Sequence, residues 1–256
     1  MLPRKVLKTG LTALAFVLLG AALLLLVLGG KARRGKTLCS GLQVELTDDF
    51  SFTSKADAEA FIKEGYGVYI GKRLDSLDLG KIEKALEAKG EILSAQAYCT
   101  PDGSLNLKIS QRRPVLLLRL GGKAFYCDAS GFLFPYKEGF KEPVPLLEGN
   151  APLRLAKGLP KRESEAVWLR GVLELLRLLE ESKTWKGFFP KLLAGSDGKL
   201  TLLPFEGPER FILGQPRSLE RKLRRLELYY TSVKPSSPEA CKTVDLSFEG
   251  QIVCRR

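Results

Sequence analysis

Histidine is absent from all 256 residues. That removes the commonest general base, the commonest metal ligand and the usual middle member of a nucleophile triad. Five cysteines remain: Cys39, Cys99, Cys127, Cys241 and Cys254. None form a C-x-x-C pair, so neither a zinc ribbon nor a thioredoxin-like centre is indicated. An odd count leaves at least one thiol unpaired. An oxidising compartment would permit a bridge, and the sequence alone assigns none. Most of the five read as small hydrophobes on buried strands. The acidic pairs Asp48-Asp49 and Glu180-Glu181 are adjacent in sequence and need not converge on one bond as a catalytic pair would. Gly65-x-Gly67-x-x-x-Gly71 lacks the spacing of a phosphate loop, and no Lys-Ser/Thr follows it. No catalytic residue, metal site or cofactor is therefore expected, although lysine-based or carboxylate-pair catalysis stays open on composition alone.

Charge offers a different chemistry. Lys and Arg number 41 against 29 Asp and Glu, a formal charge of +12. Such a balance suits nucleic acid, anionic lipid or an acidic protein face. The basic residues are scattered among Leu and Glu, and no aromatic RNA-binding motif or Cys/His finger accompanies them. Nucleic acid is not an expected partner. An apolar share of 45% with 27% charged residues is ordinary for a folded chain and argues against wholesale disorder.

Residues 11–28, LTALAFVLLGAALLLLVL, carry no charge. With Gly29 and Gly30 the run approaches the roughly 20 residues needed to cross a bilayer as a helix. It exceeds a typical signal-peptide core and lacks a small-residue cleavage site, so an uncleaved anchor is expected. Arg4, Lys5 and Lys8 precede it; Lys31, Arg33, Arg34 and Lys36 follow. Charge therefore does not set its orientation. The basic juxtamembrane stretch fits an attraction to anionic lipid or a plain stop-transfer flank.

Beyond the anchor, about 220 residues suffice for one large or two small domains. Leu42, Val44 and Leu46 alternate with polar residues, as in a half-buried strand. Thr53 or Ser54 can cap a helix to about Glu64, and Asp78 can cap another bearing Leu79, Ile82 and Leu86 on one face. Strands are predicted over 92–99 and 104–110, around the turn Thr100-Pro101-Asp102-Gly103. The order is β-α-α-β-β.

Short strands over 115–120, 124–128 and 132–134 form a β-meander, followed by a Pro-rich loop to Pro160. A long helix spans 163–183, with Trp168, Val172, Leu175, Leu176 and Leu179 on one face and an Arg170/Glu174, Arg177/Glu181 ladder on the other. Strands follow over 188–194, 199–203 and 210–213. Ser218 can cap a helix to about Tyr230, its Leu219, Leu223, Leu226 and Tyr230 inward and Arg221, Lys222, Arg224 and Arg225 mostly outward. A terminal hairpin, 243–248 and 251–254, turns at Glu249-Gly250. The fold class is α+β.

Several motifs recur in a telling order. Ile82-Glu83-Lys84-Ala85-Leu86 leads to Gly103-Ser104-Leu105-Asn106-Leu107-Lys108-Ile109. Gln111-Arg112-Arg113-Pro114-Val115 gives a Gln-Arg-x-Pro junction, and Phe125-Tyr126-Cys127-Asp128-Ala129-Ser130-Gly131 an aromatic-Asp-x-x-Gly hairpin. Phe211-Ile212-Leu213-Gly214, the basic Lys222-Leu223-x-x-Leu226 and the closing Val244-Asp245-Leu246-Ser247-Phe248-Glu249-Gly250-Gln251-Ile252-Val253-Cys254 complete the series. Collinear and preceded by one anchor, they resemble the FtsQ/DivIB family of bacterial cell-division proteins in its Bacteroidetes form.

The resemblance implies a cytoplasmic tail at 1–10, a transmembrane helix at 11–30, a linker at 31–38, a POTRA-like domain at 39–113 and a β-rich domain with flanking helices at 114–256. It implies a non-enzymatic, single-pass inner-membrane scaffold, N-terminus cytoplasmic and later domains periplasmic, enriched at the septum and linking early to late division proteins. Partners would be divisome membrane proteins of the FtsB/FtsL type, with FtsK-like and FtsW/FtsI-like proteins as further candidates, besides the lipid bilayer. Carried to this sequence, the partner site falls on Ser247, Phe248, Gly250, Gln251 and Val253, where an edge strand could accept an extended partner. Alternatively Phe248 and Val253 are core residues and Arg255 and Arg256 merely blunt the edge. A second surface lies around Val68, Tyr69 and Ile70, for which core packing is the plainer alternative. Two other functions compete: a POTRA-containing assembly factor for outer-membrane proteins, which would normally accompany a β-barrel, and a membrane-tethered cell-wall hydrolase, which would need a nucleophile or metal motif.

Overall fold

The structure, a computed structural model, describes residues 17–22, 24, 37–50, 52–140, 143–236 and 241–255. The expected tail, most of the expected anchor and residues 31–36 of the linker lie outside them. Residues 17–22 and 24 are helical and exposed, and no helix among the described residues is long and apolar enough to cross a membrane. The chain divides into two units between Gln111 and Arg112.

In the first unit, alternation and capping chemistry set the elements. Strand β1 (Gly41–Leu46) is followed by α1 (Lys55–Gly65), a 3-10 turn (Leu74–Ser76), α2 (Leu79–Glu87), β2 (Ile92–Cys99) and β3 (Ser104–Gln111). Of the two candidate caps, Ser54 takes the position: its hydroxyl accepts from Asp57 N while the Asp57 carboxylate accepts from Ser54 N, a reciprocal capping box. Asp78 caps α2 through Lys81 N at 3.0 Å. The sheet order is β1-β3-β2, with β1 parallel and β2 antiparallel to β3. Ile62, Ile82 and Leu86 of the helices pack with Leu105, Leu107 and Ile109 of β3 in one core.

Gln111 closes this unit. Its side chain is buried, its Oε1 accepting from Phe52 N (2.8 Å) and Thr53 N (2.6 Å) and its Nε2 donating to Phe50 O (3.0 Å). Gln111→Ala strips the acceptor from two backbone donors at once. It should destabilise the unit by about 2–3 kcal/mol, read as faster hydrogen exchange in β1–β3.

The second unit is built on a nine-stranded sheet of order β12-β11-β10-β9-β8-β7-β4-β5-β6. Its strands are β4 (Pro114–Leu120), β5 (Lys123–Asp128), β6 (Leu133–Pro135), β7 (Leu146–Gly149), β8 (Lys191–Ala194), β9 (Leu200–Leu203), β10 (Arg210–Gly214), β11 (Thr243–Asp245) and β12 (Val253–Arg255). β4-β5-β6 is the predicted antiparallel meander, and β8-β9-β10 is a second. β7 runs parallel to both β4 and β8 and joins the two ribbons. Two parallel pairs are connected through helices: β7 to β8 by α3 (Glu163–Glu181), and β10 to β11 by α4 (Leu219–Leu228), which continues as a π-turn over Tyr229–Val233.

Alternation settles the two faces of this sheet. Leu116, Leu118, Leu192, Leu200, Leu202, Phe211 and Val244 are buried against Trp168, Val172, Leu175 and Leu179 of α3 and Leu226 of α4. Leu117, Leu193 and Leu203 are only partly buried. Glu148 of β7 pairs with Arg119 (3.2 Å) and Lys191 (2.6 Å). The Lys191 hydrogen bond, above all, holds the Glu148 carboxyl below its ordinary value. Gly149 has φ +111°, and a Cβ there would sit 2.3 Å from Ala194 O, so β7 ends on a residue that must be glycine.

Several expectations need correction. Phe188 and Phe189 precede β8 instead of lying in it, because they pack edge-on to Trp185, Phe211 and Tyr230 in an aromatic cluster. β7 emerges from the stretch read as a Pro-rich loop. Ser218 does not cap α4 with its side chain; it sits at φ 53°. Lys222 is buried, not outward. On α3, Arg177 bonds both Glu174 and Glu181 (2.7 and 2.8 Å), while Arg170 reaches back to Glu163 (2.6 Å) instead of Glu174.

Candidate functional site

Each sheet has two edges, and two of the four, β2 and β6, have outer backbone groups engaged. On the outer side of β2, the Glu83 and Glu87 carboxylates of α2 accept from Ala97 N (2.8 Å) and Ala95 N (3.1 Å), which occupies donors a partner strand would need. At β6, Leu133 exchanges two 2.9 Å backbone bonds with Gly158. No described strand or bridge pairs with β1 or β12 on its outer side.

The β12 edge is rigidly mounted. β11 runs parallel to β10 with Phe211 opposite Val244, and β12 pairs antiparallel with β11 with Val244 opposite Cys254. A Cys241–Cys254 disulfide, with Cα atoms 5.6 Å apart, links the approach to β11 with β12. Cys39, Cys99 and Cys127 lie outside this bridge, Cys39 and Cys127 buried and Cys99 partly exposed. Burial, chiefly, pushes the Cys127 thiol up, so it packs as an apolar group.

The predicted strands of the hairpin are shorter than expected. The Asp245 carboxylate accepts from Ser247 N (2.9 Å) and Ser247 Oγ (2.6 Å), turning the chain out of β11. Ser247 is thus a half-buried turn residue. Phe248, 49% exposed, and Gly250 and Gln251, both exposed, form the tip. Gly250 has φ +68°, as the turn requires. Of the five predicted residues only Val253 lies on β12, half-buried, with Ile252 packed against the core. Phe248 is no core residue.

Residues outside the prediction brace this tip. The Arg225 guanidinium donates to Leu246 O at 2.6 Å, and Lys222 Nζ donates to Gln215 O at 2.6 Å. Lys222 had a signal: Leu219, Lys222, Leu226 and Tyr229 follow the 3-4-3 spacing of an inward helix face, and all four are buried. The disulfide had none beyond cysteine count.

On the first unit, Val68 and Ile70 are exposed, but Tyr69 belongs to the core. Burial, with Glu59 and Cys39 nearby, raises the Tyr69 phenol. The predicted three-residue surface therefore reduces to two side chains, because the loop that carries them turns the Tyr69 ring into the core.

Residues 113–255 match the family model described as FtsQ/DivIB, C-terminal related, and residues 37–110 match that of a POTRA-like domain. No curated protein matches the chain significantly.

Proposed function

The chain belongs to the FtsQ/DivIB family, with a POTRA-like domain ahead of the family's C-terminal one, and we propose on that basis that it is a bitopic inner-membrane scaffold of the division septum. Residues 11–30 anchor it, with residues 1–10 cytoplasmic and the two units periplasmic. It catalyses nothing. Its partners are division membrane proteins of the FtsB/FtsL type, which it links to earlier components such as FtsK-like proteins and later ones such as FtsW/FtsI-like proteins.

The open outer side of β12 carries this reading. Main-chain groups at such an edge supply affinity to an added strand, and adjacent side chains supply selectivity. Phe248 stands beside it as an aromatic anchor whose half-exposed ring gains burial when covered. Phe248→Ala should weaken partner capture by about tenfold or more, the scale of a central aromatic contact, while leaving folding unchanged. Affinity-tagged full chain recovered from dividing cells checks this. Undiminished recovery of division proteins by both Phe248→Ala and Val253→Asp would remove the edge from the account. Failure of a fluorescent fusion to gather at the septum would remove the scaffold role itself.

A further inference from the structure

Beside the hairpin tip is a cleft of about 360 Å³, walled by α4 and its approach on one side and by Ser247 and Glu249 on the other. Five cations line it: Lys199, Arg217, Arg221, Lys222 and Arg225. Glu249 is the single carboxylate in the lining, 3.7 Å from Arg221. Asp197 neutralises Lys199 at 2.8 Å, and Asp245, whose field also reaches Lys199, is engaged by Ser247. Five cations less three carboxylates leave two positive charges unbalanced.

Several donors in this cleft are unspent. Lys222 is buried and makes one bond, to Gln215 O, although an ammonium carries three donors. The Arg225 Nε is buried and has no hydrogen-bond partner among the described residues. Arg217 has no ion pair among the described residues. α4 begins at this cleft without a side-chain cap, so its first-turn N–H groups add a positive end, which the exposed Glu220 of the same turn partly offsets. Burial, above all, and then the neighbouring Arg225 and Arg217 lower the Lys222 ammonium below its ordinary value.

We propose that this cleft binds a diphosphate group, held by Arg217, Arg221, Lys222 and Arg225 and the N-terminus of α4. One carboxylate would leave the site positive; a diphosphate balances it and offers acceptors to the three guanidinium groups. Bound there, it would tie α4 to the loop that carries Phe248. The site stands whether or not that loop captures a protein partner.

The test is calorimetric titration of the detergent-solubilised full chain with sodium diphosphate, and with sodium acetate for comparison. Diphosphate should bind saturably and at least about tenfold more tightly than acetate. Arg217→Ala with Arg221→Ala, both exposed, should weaken diphosphate about tenfold while leaving the ligand-free unfolding midpoint in place. A polyprenyl diphosphate in mixed micelles separates the sources. Tighter binding than the free anion identifies a lipid headgroup, and equal binding a soluble diphosphate; either upholds the site. Absence of saturable binding together with an unmoved unfolding midpoint overturns it. So does diphosphate binding that ignores the double substitution, or an acidic peptide that occupies the cleft where diphosphate fails to compete.

Discussion

Asp128→Ala should lower the stability of the second unit by about 3–5 kcal/mol, the cost of stranding a buried charge. Asp128 sits at the end of β5, where its Oδ2 accepts from Arg112 at 2.8 Å, both side chains being largely buried. Its Oδ1 accepts from Ser130 N (2.9 Å), Ser130 Oγ (2.6 Å) and Phe132 N (3.0 Å), shaping the turn into β6. The Arg112 guanidinium lies over the Phe132 ring at 3.7 Å. Removing the carboxylate therefore frees a turn and leaves a cation without its counter-charge. Both tryptophans of the chain, Trp168 and Trp185, lie in the second unit, so their fluorescence in a urea titration reports that unit alone. Asp128→Asn separates the two effects: it keeps acceptors for the turn and loses the ion pair, and should fall between wild type and Ala. A fluorescence midpoint unmoved by Asp128→Ala would show that the turn and the Arg112 pair are dispensable.

Cys241→Ser with Cys254→Ser should cost about 2–3 kcal/mol through the freed denatured chain, given a sequence separation of 13 between the two cysteines. The larger effect concerns the edge. β11 and β12 pair over only three residues each, too short a ribbon to hold without support. Without the clip, β12 should fray, its amides should exchange far faster than those of β10, and partner capture should fall at least as far as in Phe248→Ala. Reductant applied to the wild-type chain should reproduce the loss. Capture and exchange equal to wild type in the double substitution would show that β12 is held by packing alone.

Much of the first unit was legible because its signals agree. Period-two alternation marks β1, Ser54 and Asp78 stand at their caps, and Thr100-Pro101-Asp102-Gly103 turns β2 into β3. In the second unit legibility failed where tertiary contacts override local pattern. β7 is four residues long with prolines before it, and exists because strands on both sides complete its bonds: Leu117 N donates to Pro145 O and Leu146 N to Pro190 O, each at 2.9 Å. Phe188 and Phe189 carry strand propensity but find better burial among aromatic rings. At the candidate site, Glu249-Gly250 announces the hairpin. The exposure of Phe248 and the inward turn of Tyr69 depend on which face is covered, which no local pattern records. Lys222 lies inward because its spacing on the helix outweighs its charge.

The position of β7 also has a kinetic consequence. The ribbons β4-β5-β6 and β8-β9-β10 are closed by short turns and can form within microseconds, each by itself. Neither yields the sheet until a four-residue strand docks parallel to both, after chain excursions that include all of α3. Loop closure over such distances is slow. The nucleus is local, the commitment is not, and the late step leaves two half-sheets with open, pairing-competent edges side by side. Aggregation during refolding should therefore start from the flanks of β4 and β8, the strands that β7 finally separates from solvent.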